Sequence, residues 1–557
     1  MYNLRKNFQF PLFVFCLLAL ILSSCSPATP TAAPNTPPTA VPPTAVPPTA
    51  VPQPQVGGTL TWGLLSSPDT LDIYASGFLY TGDIYYYLNG TLVTINTKGD
   101  IIPYLADSWT VSADGLTYTF KLHPGVKFHN GDPLTAKDFV YAWDRASDPN
   151  YTAPVSGGLI APMASYQAID DSTLQITLKQ AKYSFITNVA SPWMGPVSKR
   201  AVEATGDSYS KNPVGVGPYK FVEWVADDHV TLTRNPDFNW GPMYYDGASS
   251  GPGYIQNLVF RIITEYSTQL AGLNSGDIDW MVAEGKDIPA LEAEEKFTVS
   301  VSPSLLQERF FINNSIPPFN DLLVRQAFTQ ATDREAIVKV SLLGNGVVTK
   351  GPISPAMLGY WPGVEDYGPD FDLAAAKQLM MDAGYTYDAN GMLLKDGQPF
   401  KITILVESID RTRSFAQIAQ QMWKALGVDV SLEEMDFNTE YNRVVTGDYT
   451  IATMGIQWLE ADVMNLMYPT GSLGQTSWNR NASDPQLDQL LVLIDTETDP
   501  GKRQDAVIAA EKYVVDNAYE LWLYSFTQFN VVNDRVKGLQ YNPYFTIFLV
   551  PDAYIQP

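Results

Sequence analysis

Cysteine is almost missing from this 557-residue chain: two occur, Cys16 and Cys25, so no disulfide can staple the hundreds of residues that follow. Histidine is nearly as scarce, with three, His123, His129 and His229. None has the spacing of a metal-ligand set, and each reads as a loop or surface residue, so no metal centre is expected. Catalytic motifs are lacking too. There is no G-x-S-x-G nucleophile elbow. Gly215-x-Gly217 cannot be a phosphate loop, because Pro218 removes an amide donor and no Lys-Ser/Thr pair follows; it reads as a tight turn. Neighbouring carboxylates such as Asp227-Asp228 and Glu433-Glu434 point to opposite faces of an extended backbone and stay solvated. Positive charge is short: 35 Lys and Arg against 59 Asp and Glu leave −24, which argues against nucleic acid and polyanionic surfaces as partners. Beyond the first 24 residues no apolar run is long enough to span a membrane. These absences leave a non-catalytic binding protein that needs no cofactor.

What is present begins with a leader. Arg5 and Lys6 precede an apolar stretch from Phe8 to Leu22, too short for a comfortable span. It ends in Leu22-Ser23-Ser24-Cys25, which resembles a bacterial lipobox. That implies a signal peptide over 1–24 and diacylation of Cys25; the alternative is an uncleaved anchor helix. Either way the rest lies outside the cytoplasm, tethered to a membrane. Residues 25–56 join the lipidated Cys to a stretch of Pro, Thr, Ala and Val, with PPTAV in tandem from Pro37 to Val51. Such a composition builds no core and favours polyproline II, a stalk reaching roughly 95 Å at about 3.1 Å per residue.

The remaining 500 or so residues are too many for one core and predict two or three subdomains. The clearest local pattern runs from Trp109 to Trp143. Leu116, Tyr118, Phe120 and Leu122 alternate as a strand with one buried face, and Asp114-Gly115 closes a hairpin back onto Trp109–Val111. Thr135-Ala-Lys-Asp138 then opens a helix as a capping box, with Phe139, Val140 and Trp143 on one face. Leu174–Leu178, Tyr219–Trp224, Val230–Thr233 and Leu258–Ile263 read as further strands. After Arg309 the character changes, and Phe310–Asn313 reads as a strand. Strand Phe400–Val406, helix Ser414–Leu426 closed by Gly427, and strand Val428–Leu432 form a strand–helix–strand unit, which implies a second α/β domain. Glu520–Asn530 reads as a late strand.

The same opening stretch resembles the signature of the family 5 extracellular solute-binding proteins, which serve peptide- and nickel-type ABC importers. Ser108-Trp109, Asp114-Gly115, Tyr118-Thr-Phe120, Gly125-Val-Lys-Phe-His-Asn-Gly131 and Pro133-Leu-Thr-Ala136 carry the match, with His123 and Asn130 where Arg and Asp are commoner. Asn212-Pro-Val-Gly-Val-Gly-Pro-Tyr219, Arg234-Asn-Pro-Asp237, Ser275-Gly-Asp-Ile-Asp279, Pro317–Ala327, Thr332–Ile337 and Val536-Lys-Gly-Leu539 extend it through the chain in the family's order. The resemblance implies a two-lobed, periplasmic-binding-protein-like α/β fold with an additional subdomain inserted in the first lobe. The first lobe would comprise 57–99, 213–310 and 520–557, the inserted subdomain 100–212, and the second lobe 311–519. It also implies a monomer that closes on a solute and presents it to permease subunits.

For the ligand, peptide-binding members carry a Trp followed by Ala-Asp-Tyr whose Asp pairs with the peptide's α-ammonium. Trp458-Leu-Glu-Ala-Asp462 aligns with one extra residue, making Asp462 the ammonium partner, Glu460 its competitor and Trp458 a stacking wall. Val463-Met-Asn-Leu466 replaces the family's usual continuation, which keeps oligosaccharide open as an alternative. Phe78, Tyr80, Trp193, Trp458 and Trp478 offer ring faces for sugar C–H groups. Nickel ranks behind both in so histidine-poor a chain. A tethered hydrolase with paired carboxylates and a ligand sensor are the remaining alternatives.

Overall fold

The Trp109–Trp143 stretch folds as its pattern predicts. Strands Ala106–Val111 and Thr117–Leu122 pair antiparallel, with Trp109 opposite Phe120, and Gly115 takes the left-handed φ of +72° that the turn requires. Tyr118, Phe120 and Leu122 are buried. Helix Ala136–Ala146 starts on the reciprocal bonds of Thr135 and Asp138 and buries Phe139 and Trp143 completely. Strands Thr173–Leu178 and Met163–Asp170 complete a separate four-stranded sheet. The computed structural model describes residues 54–470, 484–545 and 547–556. Cys25 and Trp478 lie outside the described residues.

An eleven-stranded sheet carries the rest. Its centre is a pair of long antiparallel strands, Phe297–Ile312 of 16 residues and Glu520–Asn533 of 14. On one side follow Trp280–Ala283, Gly57–Leu64, Ile255–Ile262, His229–Arg234 and Tyr219–Val225. On the other follow Ile451–Gln457, Lys401–Glu407 and Asp429–Met435, and the short strand Gly346–Val348 also pairs with Glu520–Asn533. The long pair therefore runs through two lobes, each with its own cores. Its register shifts between Pro303 and Gln307 and again between Glu308 and Arg309. Extra residues on one strand bend it and raise its local twist.

The expected strand–helix–strand unit is present as Lys401–Glu407, Asp410–Leu426 and Asp429–Met435, with the two strands parallel and in contact. Other elements differ from expectation. The long strand was predicted only over Phe310–Asn313, because Pro303 and an imperfect alternation hide its first half; pairing to distant neighbours on both sides sustains it. Helix Leu79–Leu88 was not predicted at all. Gly82 and three adjacent tyrosines depress helix propensity, and the helix exists because Tyr85, Tyr87 and Leu88 are buried in the first lobe's core. Much of the aromatic surplus serves cores of this kind: Trp143, Trp280, Trp423 and Trp522 are fully buried.

Candidate functional site

A cavity of about 130 Å3 lies where the lobes meet. The first lobe supplies Asp83 and Tyr86 from helix Leu79–Leu88, Trp193 from the turn after Pro192, and Tyr544 near the C-terminus; the second supplies Gln457, and Leu305 comes from the shared strand. Trp193 is held by its indole Nε1, which donates to the Ser76 carbonyl at 2.8 Å. Its ring lies so close to the helix that a Cβ on Gly82 would come within 2.5 Å of it. Gly82, a poor helix residue, is therefore what lets the ring seat. Tyr86 packs against Phe545 with centroids 4.6 Å apart.

The helix itself is fixed from behind by the glycine run Asn212–Tyr219. Gly217 N–H donates to the Leu88 carbonyl at 2.9 Å, and a Cβ on Gly215 would sit 1.9 Å from that same oxygen. His129 joins this junction: its backbone N–H donates to the Gly215 carbonyl at 2.8 Å, and its ring bonds the Gly217 carbonyl at 3.0 Å. Burial pushes the His129 imidazole down to about 4 and keeps it neutral. It sits in a turn, as the sequence suggests, and bridges that turn to the glycine run.

The residues singled out from the sequence fall into two groups. Phe78, Tyr80 and Trp193 are together at the first lobe's edge, with the Phe78 and Tyr80 rings edge-on at 5.6 Å. Of these, Trp193 lines the cavity. Trp458, Glu460 and Asp462 follow strand Ile451–Gln457 in the second lobe. Trp458 Nε1 donates to Asp462 Oδ1 at 2.6 Å; Ser184 Oγ donates to Asp462 Oδ2 at 2.6 Å, and Lys182 Nζ lies 3.2 Å from it. Glu460 is bonded by Arg503 and by the Thr187 hydroxyl at 3.0 Å. Burial, and then Asp462, raise the Glu460 carboxyl, with Arg503 opposing them. Both acids thus have protein partners. The sequence reading passed over Asp83, Tyr86, Leu305, Gln457 and Tyr544. A lone acid inside the aromatic run Leu79-Tyr-Thr-Gly-Asp-Ile-Tyr-Tyr-Tyr-Leu88 was the available signal for the first two.

Residues 100–478 match the model of the bacterial extracellular solute-binding proteins, family 5 middle region. The chain belongs to that family. Among similar proteins, the oligopeptide-binding protein OppA of Bacillus subtilis is 28% identical over 80% of this chain and 84% of its own length. HbpA2 from Haemophilus parasuis superposes with a TM-score of 0.78 at 25% identity, over 90% of this chain and 100% of that one. AppA from Bacillus subtilis, solved with a nonapeptide, has a TM-score of 0.70 at 23% identity, over 91% of this chain and 100% of that one. This family 5 protein is accordingly an extracellular solute-binding protein and not an enzyme, with the two-lobed fold. Among the described residues no helix is long and apolar enough to cross a membrane.

Proposed function

We propose that this family 5 protein captures a peptide in the cleft between its lobes and delivers it to the permease of an ABC importer. The observation that carries the reading is the cavity lined from both lobes, beside strands that pass through both. Ligand bridging the two faces stabilises the closed arrangement, and lobe closure around a solute is the motion such shared strands permit. A relative named for oligopeptides supports peptide as the cargo. Residues 57–99, 213–310 and 520–557 would form the first lobe, 100–212 the subdomain and 311–519 the second lobe. Phe78, Tyr80, Trp193, Trp458 and Trp478 would wall the ligand, with Glu460 and Asp462 as the acidic side of the site once Lys182 yields its place. Lipid on Cys25 and the Pro-rich stalk would tether the monomer outside the cytoplasm.

Oligosaccharide is the second reading, favoured by the ring faces of Trp193 and the half-exposed Trp458. Thermal-shift titration of the full chain with a pool of free-amino-terminus tri- to pentapeptides, beside cello- and xylo-oligosaccharides, separates the two. Stabilisation by the peptide pool alone is expected. A shift with the sugars and none with any peptide would move the cargo to carbohydrate.

A further inference from the structure

We propose that Asp83 is the counter-ion for a protonated amine carried by the solute, seated in the aromatic-walled cavity between the lobes. The inference rests on the reading of that cavity as the ligand site and adds the chemical group that the site selects.

Asp83 lies on helix Leu79–Leu88 with only 4% of its surface exposed, and it lines the cavity. Its Oδ1 is buried without a hydrogen-bond partner. Among the described residues neither carboxylate oxygen receives a donor and no Lys, Arg or His forms an ion pair with it. Three other buried acids, Asp72, Asp462 and Glu460, are treated differently, whereas Glu511 also lacks a partner. Asp72 is met by Arg145 and by the Tyr151 hydroxyl at 2.9 Å, Asp462 by Lys182 and Ser184, and Glu460 by Arg503. A carboxylate taken out of water without a partner costs several kcal/mol, which a protein normally avoids by supplying a donor or a charge. At Asp83 the chain supplies neither, at a residue that borders the cavity.

Burial with no compensating charge holds the Asp83 carboxyl well above its usual range. Its titratable neighbours are Tyr80, Tyr86 and Tyr87 on its own helix and Tyr541 on the strand Gln540–Asn542. Each of these hydroxyls is raised by burial and stays neutral, so none supplies the missing positive charge. An ammonium entering the cavity would satisfy the carboxylate and convert a destabilised acid into half of an ion pair.

The walls fit that guest. Tyr86, Trp193 and Tyr544 present rings, whose faces attract cations and whose bulk excludes water. Gln457 brings an amide from the second lobe, so a guest held by Asp83 also touches the closing face. A space of about 130 Å3 suits an ammonium with a short alkyl stem rather than a whole peptide. The amine is therefore one subsite of a larger ligand, an amino terminus or a lysine-type side chain. The chain's net charge of −24 draws cations of any kind toward the protein.

The test uses the full chain and two probes of equal shape, n-butylammonium and n-butanol, titrated by saturation-transfer NMR at neutral pH. Wild type is expected to prefer the ammonium by roughly 10- to 100-fold, the value of a hydrogen bond to a charged partner. Asp83→Asn, nearly isosteric, is expected to lose that preference while keeping its butanol affinity. On wild type alone, ammonium affinity should fall as pH is lowered and the carboxyl takes up its proton, with butanol unaffected. Equal binding of the two probes, a preference that survives in D83N, or no binding of either overturns the proposal. Peptide stabilisation without an ammonium preference rejects the role of Asp83 and leaves the peptide reading standing. An intact preference with no response to any peptide does the reverse.

Discussion

Glu440 on helix Phe437–Thr446 has one oxygen held by the Thr453 hydroxyl at 2.9 Å and is otherwise buried. Burial raises its carboxyl to about 7, with Glu407 and Glu308 adding to the shift and Thr453 opposing it. Its folded value lies above the ordinary 4.5, so the stability it contributes is complete below about 4.5 and is lost as pH rises through about 7. Glu440→Gln keeps an oxygen for Thr453 and removes the charge. It is expected to stabilise the protein above pH 7 by about 1–3 kcal/mol, and to change little near pH 4, in urea titrations at the two pH values. Equal effects at both would show that the charge is not the cause. Residue-scale environments like this one were invisible in the sequence, where Glu440 is an ordinary helix acid. Asp83 was hidden for the same reason: exposure is a property of distant segments.

At the scale of elements, the glycine run Asn212–Tyr219 was legible as a turn and as a family motif, but its work was not. It lets two backbones touch. Gly215 and Gly217 lie against the last carbonyls of helix Leu79–Leu88, whose other residues carry Asp83 and Tyr86 into the cavity. Gly215→Ala puts a methyl group into the Leu88 carbonyl, where backbone on both sides prevents relief. We expect a loss of about 3 kcal/mol or more, read as a lower urea midpoint at unchanged slope, together with weaker ligand binding because the helix is displaced. A variant with wild-type stability would show that the two segments separate freely. The Thr135 capping box, by contrast, was predictable to the residue, because both partners lie within one helical turn.

Across the whole molecule, contact between the lobes concentrates an ionic cluster at one place. Lys182, just past strand Thr173–Leu178, reaches Asp462 at 3.2 Å and Asp495 at 3.3 Å in the second lobe. Tyr183 N–H donates to the Asp495 carbonyl at 2.7 Å beside it, and the Tyr183 ring lies under Arg503 at 4.1 Å. The lysine and both acids are mostly buried, so the pairing is worth more than a surface bridge. Lys182→Met removes the cation and leaves two acids facing each other. It is expected to move the ligand-free population toward open lobes by roughly 10- to 30-fold. Interlobe fluorescence energy transfer reads this as a longer mean distance; an unchanged distance would mean that other contacts hold the lobes together.

The sequence alone determined whatever depends on near neighbours: the hairpin at Asp114-Gly115, the capped helix after Thr135, the strand–helix–strand unit from Phe400 to Leu432, and the motif chain that points to the family. Each is encoded within a few residues or by their order, and each survives without reference to the rest of the fold. Tertiary structure alone decided where charge and cavity meet. Asp462 and Glu460, two residues apart, acquire partners from Lys182, Ser184, Thr187 and Arg503. Asp83 acquires none, because the elements that close around it bring rings and an amide but no cation. Burial and pairing are set by segments hundreds of positions away, and the physical meaning of an acid in this chain lies in which of them it meets.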